Sequence, residues 1–273
     1  MIGPVSEGTV LRGVIALHVG GQTRYSVIRK SLVRMAALGA CLVLVAGPVT
    51  APPALAITHS AAQASAASKL GWSSSNWSGY VLASTHYTQI TGTWVVPSVG
   101  ASAKSSFSSM WVGIDGYRNR ALIQVGTEQD YYGGAAHYSA WWEILPAAGS
   151  DVTSMTVRAG DRMSASINRN ASGGTWTIRL TDLTSHTSFS TTRRYNGPGT
   201  SAEWIQEAPT VDGRTATLAH YSPTSFSGTV NGHAPHFVAA NGGAMVQRGV
   251  RVSTPSLPLT HGSGFSLSSS PKH

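Results

Sequence analysis

Apolar and polar residues alternate with a period of two along most of the chain from residue 76 onward. Clear examples are residues 89–96, 137–144 and 175–180, and the last follows a Gly173-Gly174 turn. Successive side chains of a strand point to opposite faces, so this alternation is typical of strands with one buried face. No segment repeats apolar residues at i, i+3, i+4 and i+7. The pattern therefore predicts an all-β domain, either a sandwich or a barrel.

Charge and cysteine content exclude several functional classes. The chain has 273 residues and a formal net charge of +8, but five of the basic residues and one acid precede residue 57. The remaining surplus is small and scattered, so we do not expect a nucleic-acid interface. The sole cysteine is Cys41. Disulfides, thiolate zinc sites and a cysteine nucleophile are therefore not expected in the body of the chain.

The first 56 residues have the organisation of a secretory signal. A basic stretch at 24–34 precedes an uncharged run at 35–49, and Ala54-Leu55-Ala56 matches an A-x-A cleavage signal. A transmembrane anchor is the alternative, but prolines interrupt the end of the run. The order of these features favours export with cleavage.

Four segments follow from the composition. Residues 1–56 are an N-terminal extension with the signal, and the Ala/Ser-rich residues 57–71 are a linker or short propeptide. Residues 72–252 form the β domain. Residues 253–273 form a Ser/Pro-rich tail, for which we expect partial disorder.

Familiar catalytic and metal motifs are absent from the sequence. It contains no G-x-S-x-G, H-E-x-x-H, Walker loop, G-x-G-x-x-G or Asp-Thr/Ser-Gly. His233 and His236, with His220 nearby, have metal-ligating side chains, but such histidines are more typical of loops. We therefore predict neither a metal nor a cofactor.

A small set of polar residues interrupts the apolar strands. Asp115, Glu143 and Glu203 lie within or beside Trp-containing strands, and Gln124 lies within an apolar one. Each alone is typical of the solvated face of an antiparallel sheet. However, only ten acids follow residue 56. A carboxyl packed against tryptophan and away from water has its charged form disfavoured, which is how general acids arise.

Six motifs in a fixed order resemble one protein family. They are Asn76–Tyr80 (NWSGY), Thr91–Pro97 (TGTWVVP), Trp111–Gly116 (WVGIDG), Ile123–Gly126 (IQVG), Ala140–Glu143 (AWWE) and Ala202–Ile205 (AEWI). The series resembles the glutamic peptidases, or eqolisins, of the scytalidoglutamic peptidase type. The resemblance covers roughly residues 72–230.

The resemblance implies a fold and an activity. The implied fold is an antiparallel β-sandwich of two large sheets, of the concanavalin or jelly-roll kind. The implied activity is that of a secreted, acid-active endopeptidase that cleaves polypeptides. We expect a monomer without stable membrane association after signal cleavage.

The resemblance also implies site residues. Gln124 and Glu203 match the family's catalytic dyad, and Trp111, Asp115, Trp141 and Glu143 match residues that support it. Glu128 stands where the family has an aspartate, a departure that affects the hydrogen bonding around the dyad.

The chemistry of a Gln/Glu dyad suits amide hydrolysis. A carboxylate can accept a proton from water and pass it to the leaving nitrogen, while an amide N–H stabilises the oxyanion. Two alternatives remain open from the residues alone. Glu143 and Glu203 could be the carboxylate pair of a sandwich glycosidase, about 5–5.5 Å apart in a retaining enzyme. The tryptophans could instead line a non-catalytic carbohydrate-binding face.

Overall fold

The protein is described here from a computed structural model. It describes residues 14–19, 22–27, 57–62, 64–65, 70–84 and 86–270. The strands are β1 Val14–Val19, β2 Gln22–Val27, β3 Ile57–Thr58, β4 Ala64–Ser65, β5 Trp72–Ser74, β6 Trp77–Ala83, β7 Gln89–Val95, β8 Ser109–Ile114, β9 Ile123–Tyr132, β10 Ala135–Ile144, β11 Ser150–Asp151, β12 Arg162–Arg169, β13 Thr175–Asp182, β14 Thr187–Arg194, β15 Ser201–Glu207, β16 Thr210–Val211, β17 Arg214–Thr215, β18 Thr224–Val230, β19 Gly242–Gln247, β20 Val250–Pro255 and β21 Gly264–Ser269. The only helical elements among the described residues are two 3₁₀ turns, Ala239–Asn241 and Thr260–Gly262.

Most of these strands form one hydrogen-bonded path that folds back on itself. Its order is β11-β10-β9-β8-β15-β6-β19-β20-β21-β18-β7-β12-β13-β14, with β5 attached to β19 and β4 to β5. We call β11, β10, β9, β8, β15 and β6 the first layer, and β18, β7, β12, β13 and β14 the second layer. Within both layers all strand pairs are antiparallel. The predicted all-β fold with large antiparallel sheets is confirmed. The layers are joined through β19–β21, so they are the two ends of one folded sheet.

The core between the layers follows from the alternation in the sequence. In β8, β9 and β15 every second residue faces the second layer. The apolar ones are Met110, Val112, Ile114, Ile123, Val125, Ala202 and Trp204, and the buried polar ones are Thr127, Gln129 and Gln206. The second layer has a glycine, Gly92 of β7, where it packs against Trp204. A Cβ at Gly92 would lie 2.4 Å from Val112 Cγ1 and 3.3 Å from Trp204 Cδ1. Glycine at this position therefore leaves room for the two bulky side chains opposite.

The other face of the first layer carries a second, smaller apolar cluster. It consists of Trp72, Trp77, Val81, Trp111, Leu122, Trp141 and Ile205, with Ala62, Tyr117 and Leu145 packed against it. We call this surface of the first layer the site face. The predicted polar residues lie among these rings, with the exception of Asp115.

Residues 253–273, for which we predicted a partly disordered tail, include the end of β20 and all of β21. β20 ends at Pro255, and β21 pairs with both β18 and β20. Phe265 and Leu267 of β21 are buried, while the intervening Ser266 is more exposed. The serine-rich composition hid a period-two pattern, and these two apolar side chains anchor the segment in the core.

The N-terminal 56 residues form a unit separate from residues 57–273. The described part of that unit is an antiparallel hairpin of β1 and β2. The apolar run and the cleavage motif of the predicted signal lie outside the described residues. In the part of the chain that the structure describes, no helix is long and apolar enough to cross a membrane.

Candidate active site

The candidate dyad is assembled around a glycine in the middle of the first layer. Gly113 of β8 is the register partner of Gln124 on β9 and of Glu203 on β15. Register partners present their side chains on the same face. Gln124 and Glu203 therefore lie on either side of a residue without a side chain. Their backbones are about 10 Å apart, twice the usual spacing between neighbouring strands.

Gln124 is oriented by Glu143 of the next strand. The two are register partners, and Gln124 Nε2 donates a 2.7 Å hydrogen bond to Glu143 Oε2. The other amide atom, Gln124 Oε1, has no hydrogen-bond partner among the described residues. Burial raises the pKa of Glu143 to about 7, although His59 and the bond from Gln124 oppose this rise. The Gln124 amide is thus fixed through Nε2, and its Oε1 can still accept a hydrogen bond.

Glu203 is buried and forms no ion pair among the described residues. Its side chain is fully buried, and neither carboxylate oxygen accepts a hydrogen bond within the described residues. Burial raises the pKa of Glu203 well above its ordinary value, and the charge of Asp115 raises it further, while the nearby Ser201 hydroxyl lowers it. A carboxyl of this kind favours its protonated form and is a stronger base once ionised.

Strict alternation from Trp111 and Gly113 of β8 would place Asp115 on the site face, but Asp115 departs from this alternation. Its φ of 71° is left-handed, which ends the period-two pattern of β8. The carboxylate instead accepts bonds from Tyr195 Oη at 2.7 Å, Gly199 N at 2.9 Å and Thr200 N at 2.8 Å. Asp115 thus ties the end of β8 to the segment that leads into β15, and it reaches Glu203 only through its charge.

The two predicted tryptophans occupy the site face with their indole nitrogens bonded. Trp111 Nε1 donates to Glu207 Oε2 at 2.8 Å, and Trp141 Nε1 donates to Ser109 Oγ at 3.0 Å. Trp111 also packs edge-on against Trp77. Trp111 lies two residues from Gly113 on β8, and Trp141 lies two residues from Glu143 on β10. Both rings are therefore fixed next to the strand positions that carry the dyad.

Glu128 does not join the dyad. It lies on the site face four residues along β9 from Gln124, about 13 Å away at the usual rise per residue. Its carboxylate forms an ion pair with His59 Nε2 at 3.1 Å. Burial raises the pKa of Glu128, with His59 opposing. Glu128 therefore belongs to a separate acidic pocket on the same face.

Two residues of that pocket were missed by reasoning from the sequence. Glu207 is fully buried and lies four residues from Glu203 on the same face of β15, which alternation from Glu203 would have indicated. His59 lies in the segment assigned to a linker or short propeptide. No local pattern indicated it, because its contacts are with residues 69 and 148 positions away.

Two of the histidines that were considered as metal ligands have other partners. His220 Nδ1 pairs with Ser269 Oγ at 2.7 Å, and the backbone of His233 pairs with Val230. Within the described part of the chain, no group of three histidine, cysteine or acidic side chains has the arrangement of a metal site.

The comparison with protein families identifies the class of this fold and site. The profile of the Peptidase A4 family matches residues 75–259. The chain therefore belongs to the Peptidase A4 family, and the resemblance inferred from the six motifs is confirmed.

Individual relatives agree with this assignment. The chain is 34% identical over 159 residues to aspergillopepsin-2 of Aspergillus niger, covering 49% of this chain and 56% of that protein. It is 34% identical over 110 residues to scytalidopepsin B of Scytalidium lignicola, covering 39% and 41%. The chain thus spans about half the length of these relatives. The crystal structure of scytalido-glutamic peptidase with a transition state analog inhibitor superposes with a TM-score of 0.61 at 25% identity, covering 72% of this chain and 98% of that one.

Proposed function

We propose that this chain is an acid-active glutamic endopeptidase, with Glu203 as general acid and base and Gln124 as the amide that positions water and stabilises the oxyanion. The observation that carries the proposal is the pairing of both residues with Gly113 on one buried face. Gly113 itself places no side chain between them, and the space over it is bounded by Trp111 and Leu122, whose Cζ3 and Cδ1 atoms lie 2.9 and 3.1 Å from where a Cβ would be. Membership of the Peptidase A4 family supports the same reaction.

In the proposed cycle Glu203 accepts one proton and later donates it. Ionised Glu203 accepts a proton from water as the water oxygen bonds to the peptide carbon. The proton then passes to the amide nitrogen, and the C–N bond breaks to release the amine and the new carboxyl. A carboxyl with a raised pKa suits both steps, because it is a stronger base than an ordinary glutamate and is easily reprotonated in acid.

Gln124 supplies the complementary groups. The Nε2 group has two N–H donors, of which one is bonded to Glu143 and one remains for the oxyanion. The unpartnered Oε1 can hold the attacking water. A single oxyanion donor of this kind is worth about 2.7–4 kcal/mol in transition-state stabilisation.

The remaining predicted residues take supporting roles in this proposal. Glu143 orients the amide, and Trp111 and Trp141 shape the cleft and limit water. Asp115 holds the loop before β15 and acts on Glu203 through its charge. Glu128 acts away from the dyad.

We propose further that the enzyme is exported, acts as a monomer on polypeptides, and has no stable membrane association after signal cleavage. The basic stretch, apolar run and A-x-A motif before residue 57 support export.

The glycosidase alternative is disfavoured by the sheet order. Glu143 and Glu203 are separated by β9 and β8, so their backbones are about 14 Å apart at the usual strand spacing. Gln124 also lies between them and bonds Glu143. A pair spanning about 5–5.5 Å, as in a retaining glycosidase, does not fit this arrangement.

The test is hydrolysis of denatured casein or haemoglobin at pH 2–7. We expect acid-dependent cleavage by the wild type and a loss of at least about 100-fold in Glu203→Gln and in Gln124→Ala. Asp212→Asn, which removes an exposed carboxylate in the β16–β17 turn, is the matched control and should cleave normally. Unchanged activity in both dyad variants, with circular dichroism showing intact folds, would refute the dyad. Loss in Glu203→Gln alone would favour a carboxylate-only mechanism.

A further inference from the structure

The loop that follows β8 carries two arginines at one end of the site face. Residues 115–122 connect β8 to β9, and the side chains of Arg118 and Arg120 in this loop are exposed. Glu128 and Glu207 of the acidic pocket lie toward the opposite end of the same strands. The site face therefore has cationic groups at one end and acidic groups at the other.

The start of this loop lies close to the centre of the candidate dyad. Leu122 Cδ1 lies 3.1 Å from the position of a Cβ at Gly113 and 3.2 Å from that of a Cβ at Gly116. Both glycines therefore border the same side chain. Tyr117 packs against the apolar cluster of the site face, with its ring centroid 5.7 Å from that of Trp72. The loop thus forms one wall of the surface on which the dyad lies.

Neutral hydrogen bonds fix the conformation of the loop. Asn119 Nδ2 donates to Asp115 Oδ1 and to Thr200 Oγ1, both at 3.0 Å. Asn119 Oδ1 accepts from Ala121 N at 2.9 Å. The Asp115 carboxylate is therefore occupied by neutral donors, and the loop is held without using the charge of either arginine.

The guanidinium of Arg118 is positioned by the ring of Tyr117. Its Cζ lies 5.4 Å from the ring centroid, a geometry in which the aromatic face attracts the cation. Both ion pairs among the described residues involve His59, so Arg118 has no acidic partner there. A planar guanidinium presents its N–H groups as a fork that matches the two oxygens of a carboxylate. Arg118 is therefore suited to bind a carboxylate from outside the chain.

We propose that Arg118, held over Tyr117, is a carboxylate-binding subsite of the site face and takes an acidic side chain of the peptide substrate. The inference rests on the proposed function and deepens it, because it names peptides with an acidic residue on one side of the cleaved bond as favoured substrates. An extended peptide spans about 3.3 Å per residue, so the acidic residue would lie about two to four positions from that bond.

The expected preference is modest and depends on the charge of the substrate. Exposed charge pairs contribute little free energy, so we expect a preference of about threefold to fivefold for glutamate over glutamine. A substrate glutamate has a pKa of about 4.3, so it is ionised at pH 5.5 and protonated at pH 3. Arg118 stays charged throughout this range, as does Arg120, the other cation of the loop. The preference should therefore be present at pH 5.5 and absent at pH 3.

The first test measures the subsite without using activity. In the full-length chain carrying Glu203→Gln, the Nε–Hε resonance of Arg118 is assigned by its absence in Arg118→Lys. It is then followed by NMR at pH 5.5 as acetyl-Ala-Glu-Ala-amide is added, beside the same peptide with glutamine. We expect a saturable shift and an affinity at least about threefold higher for the glutamate peptide, with no difference at pH 3. No saturable shift, or equal affinities at pH 5.5, would overturn the subsite.

The second test measures the preference in cleavage. Denatured haemoglobin is digested at pH 5.5 and pH 3 by the wild type, Arg118→Gln and Arg120→Gln, and the cut bonds are identified by mass spectrometry. Arg120→Gln is the matched control, because it removes the same charge from the same loop and Arg120 has no cation–π contact among the described residues. We expect acidic residues to be enriched about threefold to fivefold at one position near the cut bond, at pH 5.5 only. Arg118→Gln should lose this enrichment and Arg120→Gln should keep it.

The outcomes separate the subsite from the proposed function. Cleavage without acidic enrichment, or equal loss of enrichment in Arg118→Gln and Arg120→Gln, would overturn the subsite, the latter because it would show a general effect of loop charge. Absence of cleavage by every protein would refute the proposed function, while the NMR titration would still decide the subsite. The titration also decides if circular dichroism shows that Arg118→Gln does not fold, since it is made on a chain that retains Arg118.

Discussion

The two faces of strands β8, β9 and β15 bury opposite kinds of side chain at the same depth. The face toward the second layer is apolar at its centre, with Val112, Val125 and Trp204, and buries Thr127, Gln129 and Gln206 toward one end. The site face buries Gln124 and Glu203 among indole rings. Both sets come from one alternating sequence, so the strand period alone separates a stabilising surface from a chemical one.

The two faces make different contributions to stability. Apolar burial stabilises by roughly 25 cal/mol per Å² removed from water. Burial of a carboxylate without a partner costs free energy, and the group responds by holding its proton. The two ion pairs among the described residues both belong to His59, at one end of the site face. Neither Glu143 nor Glu203 forms an ion pair among the described residues, so burial favours their neutral forms, and the proposed cycle uses the ionised fraction of Glu203.

Adjacent residues of β15 give the sharpest test of this contrast. Trp204 faces the core, donates from Nε1 to Thr91 O at 2.8 Å and packs edge-on against Phe237. We expect Trp204→Ala to lower the free energy of unfolding by about 3–5 kcal/mol. Glu203→Gln should leave it nearly unchanged in acid and should stabilise the protein in alkali, since it removes a carboxyl whose folded pKa is raised. Urea unfolding at pH 4 and pH 8 measures both, and equal losses in the two variants would contradict the division between the faces.

The next effect concerns the pH dependence of stability. Burial raises the pKa of Glu143 to about 7 from an ordinary 4.5. The folded state then binds more protons than the unfolded state between these values, so this group's stabilisation is complete below about pH 4.5 and is lost as the pH rises through 7. A shift of this size corresponds to about 3 kcal/mol. Glu143→Gln should remove that fall.

The measurement is the urea midpoint of wild type and Glu143→Gln at intervals from pH 4 to 8. Asp212→Asn serves as the control, because its carboxylate is exposed. Parallel pH profiles for wild type and Glu143→Gln would show that Glu143 titrates normally and would remove one support for a proton-holding site face.

The fold could be predicted from local patterns because alternation records burial directly. The segments 89–96 and 175–180 are strands in the structure, and Gly173 and Gly174 have the positive φ of a tight turn. The pairing of Gln124 with Glu203 as a dyad was implied by the family resemblance. Their shared neighbour Gly113 could not be foreseen, because pairing register depends on contacts far apart in sequence.

The misses have physical causes of the same kind. The Asp115 side chain does not lie on the site face, because the left-handed backbone of this residue ends the alternation of β8. The pattern of polar and apolar residues does not reveal such a change in backbone conformation. His59 lies in an Ala/Ser-rich segment whose composition is typical of a linker. Its position is determined by two carboxylates and an indole contributed by three distant strands. Long-range charge pairing of this sort leaves no local signature.

The smallest effect we predict concerns the hydrogen bonds of Asp115 at the end of β8. Asp115 Oδ2 accepts from Tyr195 and Gly199, and Oδ1 accepts from Asn119 and Thr200. Asp115→Asn keeps a residue that tolerates the left-handed backbone but turns an NH₂ toward donors. We expect the free energy of unfolding to fall by about 2 kcal/mol, within the range for bonds to charged groups.

The same variant distinguishes a structural role of Asp115, which holds the loop before β15, from an electrostatic role toward Glu203. The charge of Asp115 raises the pKa of Glu203, so its removal should shift the titration of Glu203 toward lower pH. The chain has five glutamates, which makes carboxyl ¹³C resonances assignable by single Glu→Gln replacements. If Glu203 titrates identically in wild type and Asp115→Asn while stability falls, Asp115 acts only on the loop before β15. A shift would instead connect the strained end of β8 with the proton affinity of the proposed catalytic acid.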